Sequence, residues 1–156
     1  MASPRLKQSA VVDVTCGERV LIIEPANVYG CTLGNDVFIG PFVEVQRGVT
    51  VGARTRIQSH AFVCELVSIG EDCFISHGAM FVKDLFRIGG PARGDQSLWS
   101  RCSIGDRVSI GTHATVLPVA ICDDVVIGAG AVVTKDISEP GIYAGNPAQK
   151  LRTLKT

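Results

Sequence analysis

The sequence predicts an all-β chain wound as a parallel β-helix, with six residues forming each side of a triangular coil. Three observations carry that prediction. An aliphatic or aromatic residue returns every six positions, from Leu33 through Ile39, Val45, Val51, Ile57, Val63, Ile69 and Ile75 to Phe81. A small or β-branched residue stands four after each of the first eight, at Val37, Val43, Val49, Thr55, Ala61, Val67, Cys73 and Ala79. Glycine often follows the aliphatic, as at Gly34, Gly40, Gly52 and Gly70. This period matches neither a strand, which repeats every two residues, nor a helix, which repeats every 3.6 or so. It matches one short strand and one turn per unit, three units closing a coil of about 18 residues. The aliphatic points into the prism, the small residue fits near a corner, and glycine admits a turn with positive φ. Stacked coils bond to their neighbours, so no single coil is stable alone.

The elements follow in chain order within a single domain. Residues 1–27 read as an irregular N-terminal cap, with one strand and a turn in RVLIIEPANVYG. Residues 28–137 read as the β-helix. A long loop interrupts it at 82–103, VKDLFRIGGPARGDQSLWSRCS, where Gly89, Gly90, Pro91 and Gly94 forbid a regular strand. The loop carries Lys83, Asp84, Arg87, Arg93, Asp95 and Trp99. Long loops on a rigid scaffold are where function concentrates. The series resumes at Ile104, Ile110 and Val116, with Gly105 and Gly111, slips by one residue before Ile121, and runs on through Ile127 and Val133. Residues 138–156 read as a short C-terminal tail, broken by Pro140 and Pro147, or as a tail ending in a short basic helix.

Composition narrows the function. Fifteen basic residues balance fifteen acidic ones, so nothing favours nucleic acid or an anionic membrane surface. No apolar run reaches the roughly 18–20 residues of a membrane span, and MASPRLKQSA lacks the apolar core of a signal peptide. The expected location is the cytoplasm. The six cysteines show no CxxC or Cys/His pairing of a zinc site and read as free thiols.

Coil arithmetic brings the three histidines together. His60 lies three after Ile57, His77 two after Ile75, and His113 three after Ile110. If the loop leaves from the third face and the chain resumes on the first, all three share one face on successive coils, about 5 Å apart. Such a stack serves acid–base work or holds zinc with three histidines and a water.

VVIGAGAVVTKDI at 125–137, followed by IYAGNPAQKLR at 142–152, resembles the C-terminal signature of hexapeptide-repeat acetyltransferases. The resemblance of the repeats to left-handed β-helix proteins covers about residues 28–137, and the C-terminal signature makes acetyl-CoA the expected co-substrate. It implies a homotrimer with a coenzyme groove between subunits. Gly111, Ala129 and Ala131 are the expected pantetheine contacts, and Lys135, Lys150 and Arg152 are expected at phosphates. The segment 56–86 resembles N-acetyltransferases that act on 3-amino sugars attached to a nucleoside diphosphate, enzymes of surface-polysaccharide synthesis. Those enzymes carry Phe-x-Asn-Asp at the start of the loop; here Phe81-Val82-Lys83-Asp84 replaces the Asn with Lys83 and keeps Asp84.

The expected partner is therefore a small amino-sugar nucleotide, with neither nucleic acid nor membrane engaged. His77, Asp84 and His60 are the expected catalytic residues, with a histidine as base and Asp84 orienting the amine. Lys83 and Arg87 are expected at the substrate, and a backbone N–H, that of Gly111, at the oxyanion. No metal is expected. The alternatives are acetylation of another small amine or hydroxyl, a zinc hydratase like the gamma-class carbonic anhydrases, and a non-catalytic scaffold. The carbonic anhydrases share this fold but carry a His pair five apart, and here Pro118 stands five after His113.

Overall fold

The six-residue series points inward. Leu33, Ile39, Val45, Val51, Ile57, Val63, Ile69, Ile75 and Phe81 are buried, as are Ile104, Ile110, Val116, Ile121, Ile127 and Val133. The computed structural model describes residues 11–154, and in it these side chains fill a three-sided parallel β-solenoid of about seven turns, consistent with left-handed winding. The first face stacks six strands, from Thr15–Cys16 to Ala120–Ile121. The second stacks eight, from Leu21–Ile22 to Gln149–Arg152, and the third seven, from Val11–Val12 to Val132–Val133. Registers place like on like: Leu33 beside Val51, Ile57 beside Ile75, Val45 beside Val63. Backbone bonds run from coil to coil, as when the Gly52 N–H donates to the Ile69 carbonyl at 2.8 Å.

The repeat glycines have a different cause from the one expected. Gly34, Gly40, Gly52, Gly70, Gly105 and Gly111 do not have positive φ. They are required by space. A Cβ on Gly52 would lie 2.5 Å from the Gly70 carbonyl carbon, and one on Gly111 would lie 2.5 Å from the Ala129 nitrogen. Positive φ falls on other turn residues, several of them polar corner residues. Asp36, Arg54, Asp72, Arg107 and Asp124 have φ between 54° and 61°.

Those corner residues form a ladder of alternating charge between the first and second faces. Arg19 donates to Asp36, Arg54 to Asp72, and Arg107 to Asp124, each through two nitrogens onto two carboxylate oxygens. The hydrogen bonds from Arg19, Arg54 and Arg107, with their charge, hold the carboxyls of Asp36, Asp72 and Asp124 below the ordinary value of 3.8. A depressed folded value means that the stabilisation is present above pH 3.8 and is lost as pH falls through the folded values. Arg54→Met is therefore expected to lower Tm at neutral pH, and the gap to wild type is expected to close on acidification. Thermal melts at pH 7 and pH 2.5 or so would check this; a gap of equal size at both would exclude the ladder as its source.

Two expectations about the ends are corrected. Part of the expected N-terminal cap is a regular coil: Val11–Val12, Thr15–Cys16 and Leu21–Ile22 pair with Asn27–Tyr29, Thr32–Leu33 and Phe38–Ile39. Its register advances by 17 residues, Val11 to Val28, where Leu33 to Val51 advances by 18, and this breaks the series. Residues 1–10 of that cap lie outside the described residues. The tail is a hairpin, not a helix. Gly141–Ala144 adds to the second face beside Val125–Ile127, and Gln149–Arg152 returns antiparallel. A strand here satisfies the backbone edge of the last coil, which a helix would leave bare. Residues 155–156 lie outside the described residues.

Burial pushes the thiols of Cys31, Cys64 and Cys102 up to about 11. They stay protonated and act as small apolar fillers. Among the described residues, no helix is long and apolar enough to cross a membrane.

Candidate functional site

The three histidines stand on successive coils, as the coil arithmetic places them, but at the edge between the second and third faces and not within one face. They split into two columns. His60 and His113 take the positive-φ position of the turn, at 63° and 55°, with Gly78 between them at 65°. His77 sits one residue earlier, in a column with Ser59, Thr112 and Ala129. Each turn is locked to the next: the Gly78 N–H donates to the Ser59 carbonyl, the His113 N–H to that of His77, and the Gly130 N–H to that of Thr112.

The three rings have different surroundings. His60 stacks on Phe42 with centroids 4.9 Å apart. His113 lies against Gly78, where a Cβ would stand 2.5 Å from its Nδ1. His77 holds its Nδ1 2.8 Å from the Ser59 Oγ. Among the described residues no three His, Cys, Asp or Glu side chains within one chain converge on a metal position. His77 keeps its exposed ring anchored at one nitrogen, the arrangement suited to proton transfer.

The loop leaves from the opposite edge of the third face. Val82 still donates to the Val116 carbonyl within the coil ladder, and Cys102–Ile104 returns beside Val67–Ile69. Between them, Asp84 and Trp99 form an antiparallel bridge that pinches the loop base. His77 and Asp84 thus lie on two different edges of one face, on the order of 15–20 Å apart by strand rise.

Several expected site residues have other occupations. Lys83, expected at the substrate, donates to Glu65 Oε2 at 2.6 Å and Gln46 Oε1 at 3.3 Å, and lies 3.7 Å over the Trp99 ring. Only 19% of its side chain is exposed, so it anchors the loop. Asp84 accepts from the Phe86 N–H at 2.9 Å and the Ala92 N–H at 2.7 Å, which folds the loop around it. Arg87 donates to Ser100 across the loop and stays exposed. The Gly111 N–H, expected at the oxyanion, donates to the Ile127 carbonyl at 2.8 Å, and its carbonyl accepts from the Ala114 N–H at 3.1 Å. Ala131 is buried in the core.

Ala129 is exposed at the histidine edge, two coils beyond His77 in the same column. Lys135 is exposed at the loop edge, across the third face from Ala129. Lys150 donates to Glu139 at 2.7 Å, and this hydrogen bond raises its pKa. Arg152 is exposed on the terminal strand. Ser59 and Glu65 were not singled out in the sequence. Each stands 18 residues, one coil, before the residue it holds, His77 and Lys83, and that spacing was the available signal.

Residues 30–65 match the family of the bacterial transferase hexapeptide (six repeats), and residues 101–135 match the hexapeptide repeat of succinyl-transferase. The serine acetyltransferase of Mycobacterium tuberculosis is 34% identical over 69% of this chain and 44% of its own length. The UDP-3-O-acylglucosamine N-acyltransferase of Bordetella avium is 30% identical over 74% of this chain and 29% of its own. The chain thus spans less than half the length of these curated relatives. Among solved structures, a substituted form of AntD, an N-acyltransferase from Bacillus cereus in complex with dTDP and coenzyme A, superposes with a TM-score of 0.78 at 24% identity. The match covers 91% of this chain and 84% of that one. A hexapeptide-repeat-containing acetyltransferase of Vibrio cholerae complexed with acetyl coenzyme A gives 0.65 at 23% identity over 81% and 72% of the two chains. At these identities the likeness establishes the fold.

Proposed function

We propose, from the premise that the chain belongs to the hexapeptide-repeat family, that it is an acyltransferase. It moves an acetyl group from acetyl-CoA to the amine of a nucleotide-linked amino sugar. The observation that supports this reading most is the fold shared with AntD, an N-acyltransferase holding dTDP and coenzyme A.

The amine nitrogen attacks the thioester carbonyl carbon, and the carbonyl oxygen becomes an oxyanion. The C–S bond then breaks, coenzyme A leaves as thiolate, and the nitrogen gives up a proton. His77 Nε2 takes that proton. Thr112 replaces Gly111 as the oxyanion donor, because its turn N–H has no backbone partner among the described residues. Ala129, beyond Thr112 in the same column, lines the coenzyme path, and Lys135 and Arg152 meet its phosphates. Asp84 and Arg87 face the acceptor from the loop.

One chain holds His77 and Asp84 too far apart to meet one acceptor, so the site forms between neighbouring copies of a homotrimer. Exposed Phe74, Met80, Phe86 and Ile88 supply apolar contact surface. Refolding His77→Asn together with Asp84→Asn is expected to recover about one quarter of the wild-type rate, since each random interface draws one intact copy of each residue that often. Recovery at the level of the inactive parents would place both groups in the same subunit.

The reading itself is tested by calorimetry of acetyl-CoA with metal-free protein, followed by turnover with a dTDP-linked 3-amino sugar. Micromolar binding and acetyl transfer are expected. L-serine is included as acceptor because of the serine acetyltransferase likeness. No coenzyme binding at millimolar concentration would sink the acyltransferase.

A further inference from the structure

We infer, on the reading of His77 as the proton acceptor, that Ser59 is its positioning residue and fixes which imidazole nitrogen faces the acceptor. Of the three histidines, only His77 has a side-chain hydrogen bond among the described residues. Its Nδ1 lies 2.8 Å from the Ser59 Oγ. The two residues occupy the same turn position on successive coils, and the coils are tied at that point by the Gly78 N–H on the Ser59 carbonyl at 3.0 Å. The contact therefore depends on the rigid edge and not on the loop.

A neutral imidazole carries one N–H. For Nε2 to accept a proton, the hydrogen must sit on Nδ1, and Nδ1–H then donates to the Ser59 oxygen. When Nε2 takes the proton from the attacking amine, Nδ1–H still donates to the same oxygen. The ring keeps its orientation in both charge states. A carboxylate in this place would also hold the ring, but it would stabilise the imidazolium and retain the proton. The hydroxyl brings no charge, so the ring returns its proton readily after each turnover. Thr112 stands in the same column and pairs its hydroxyl with Ser76 at 2.8 Å, so this corner accepts a β-branched hydroxyl residue.

The experiment compares Ser59→Ala, Ser59→Thr, Ser59→Asp and His77→Asn in the full chain. Nitrogen-15 NMR of the imidazoles reads the tautomer without any acceptor. The pH profile of kcat, with acetyl-CoA and a dTDP-linked 3-amino sugar, reads its consequence. Wild type is expected to hold the Nδ1–H tautomer. Ser59→Ala is expected to lose that preference and about tenfold in kcat, with the KM for acetyl-CoA unchanged. Ser59→Thr is expected to restore both. Ser59→Asp is expected to move the acidic limb of the profile up by about one pH unit. A merely structural serine would leave that limb in place. A wild-type Nε2–H tautomer, or a Ser59→Ala variant with wild-type spectrum and kcat, overturns the role of Ser59. If His77→Asn keeps the wild-type rate, the base reading falls first and the positioning role with it. If His77→Asn is inactive and Ser59→Ala is not, only the positioning role falls.

Discussion

Replacing His77 with Asn is expected to lower kcat for acetyl transfer by roughly 10²- to 10⁴-fold with the fold intact. The side chain is exposed at a corner, and its one polar contact is with Ser59. Losing that contact changes stability by at most about 0.5 kcal/mol, the usual range for a surface position. Asn fills much of the same space but has no basic nitrogen. The amine must then lose its proton to water while the thioester is under attack. The KM for acetyl-CoA is expected to hold, because the lost interaction exists only as the proton moves. Steady-state rates at pH 7 and a thermal melt of the same sample decide it. An unchanged kcat would mean that the amine arrives neutral and needs no protein base.

Phe81→Ala is expected to cost about 3–5 kcal/mol, measured as a shift of the urea midpoint at unchanged slope. Phe81 is 1% exposed and is the one buried aromatic side chain among the described residues. It occupies the third-face position that Val63 and Val116 occupy in neighbouring coils. Truncation opens a hole between coils that cannot close up, because their spacing is fixed by the backbone ladder. The consequence extends to the loop, since Lys83 leaves the coil two residues later and carries the Glu65 and Trp99 contacts. Ile57→Val, which removes a single methylene from the second face, is expected to cost only about 0.5–1.5 kcal/mol. Equal losses for the two would show that packing around Phe81 relaxes freely.

The core was legible because inward positions recur every six residues within each run, so one rule places Leu33 and Phe81 alike. The histidine edge was legible for the same reason. Its division into two columns was not, because that rests on a single residue of offset between His77 and His60. The pairing of Lys83 with Glu65 lay in the coil spacing, but a loop residue next to Asp84 reads more naturally as a substrate contact. The tail hairpin was hidden because local propensity says nothing about the open edge of the last coil. The repeat glycines were seen and misread: sequence shows that a Cβ is absent, and only the stacked backbones show what it would strike.

The way the loop is spliced into the solenoid has a consequence of its own. Val67–Ile69 pairs directly with Cys102–Ile104, one coil on, as though the loop residues were never inserted. The coil does not bend to admit the loop, and Asp84 and Trp99 close it at the neck. Scaffold and loop are separable parts. A short turn joining Lys83 to Arg101 would leave an uninterrupted prism, and a foreign loop grafted at the same neck would inherit a finished platform. A loop can therefore be exchanged at this neck while the stability of the prism is left to its own coils.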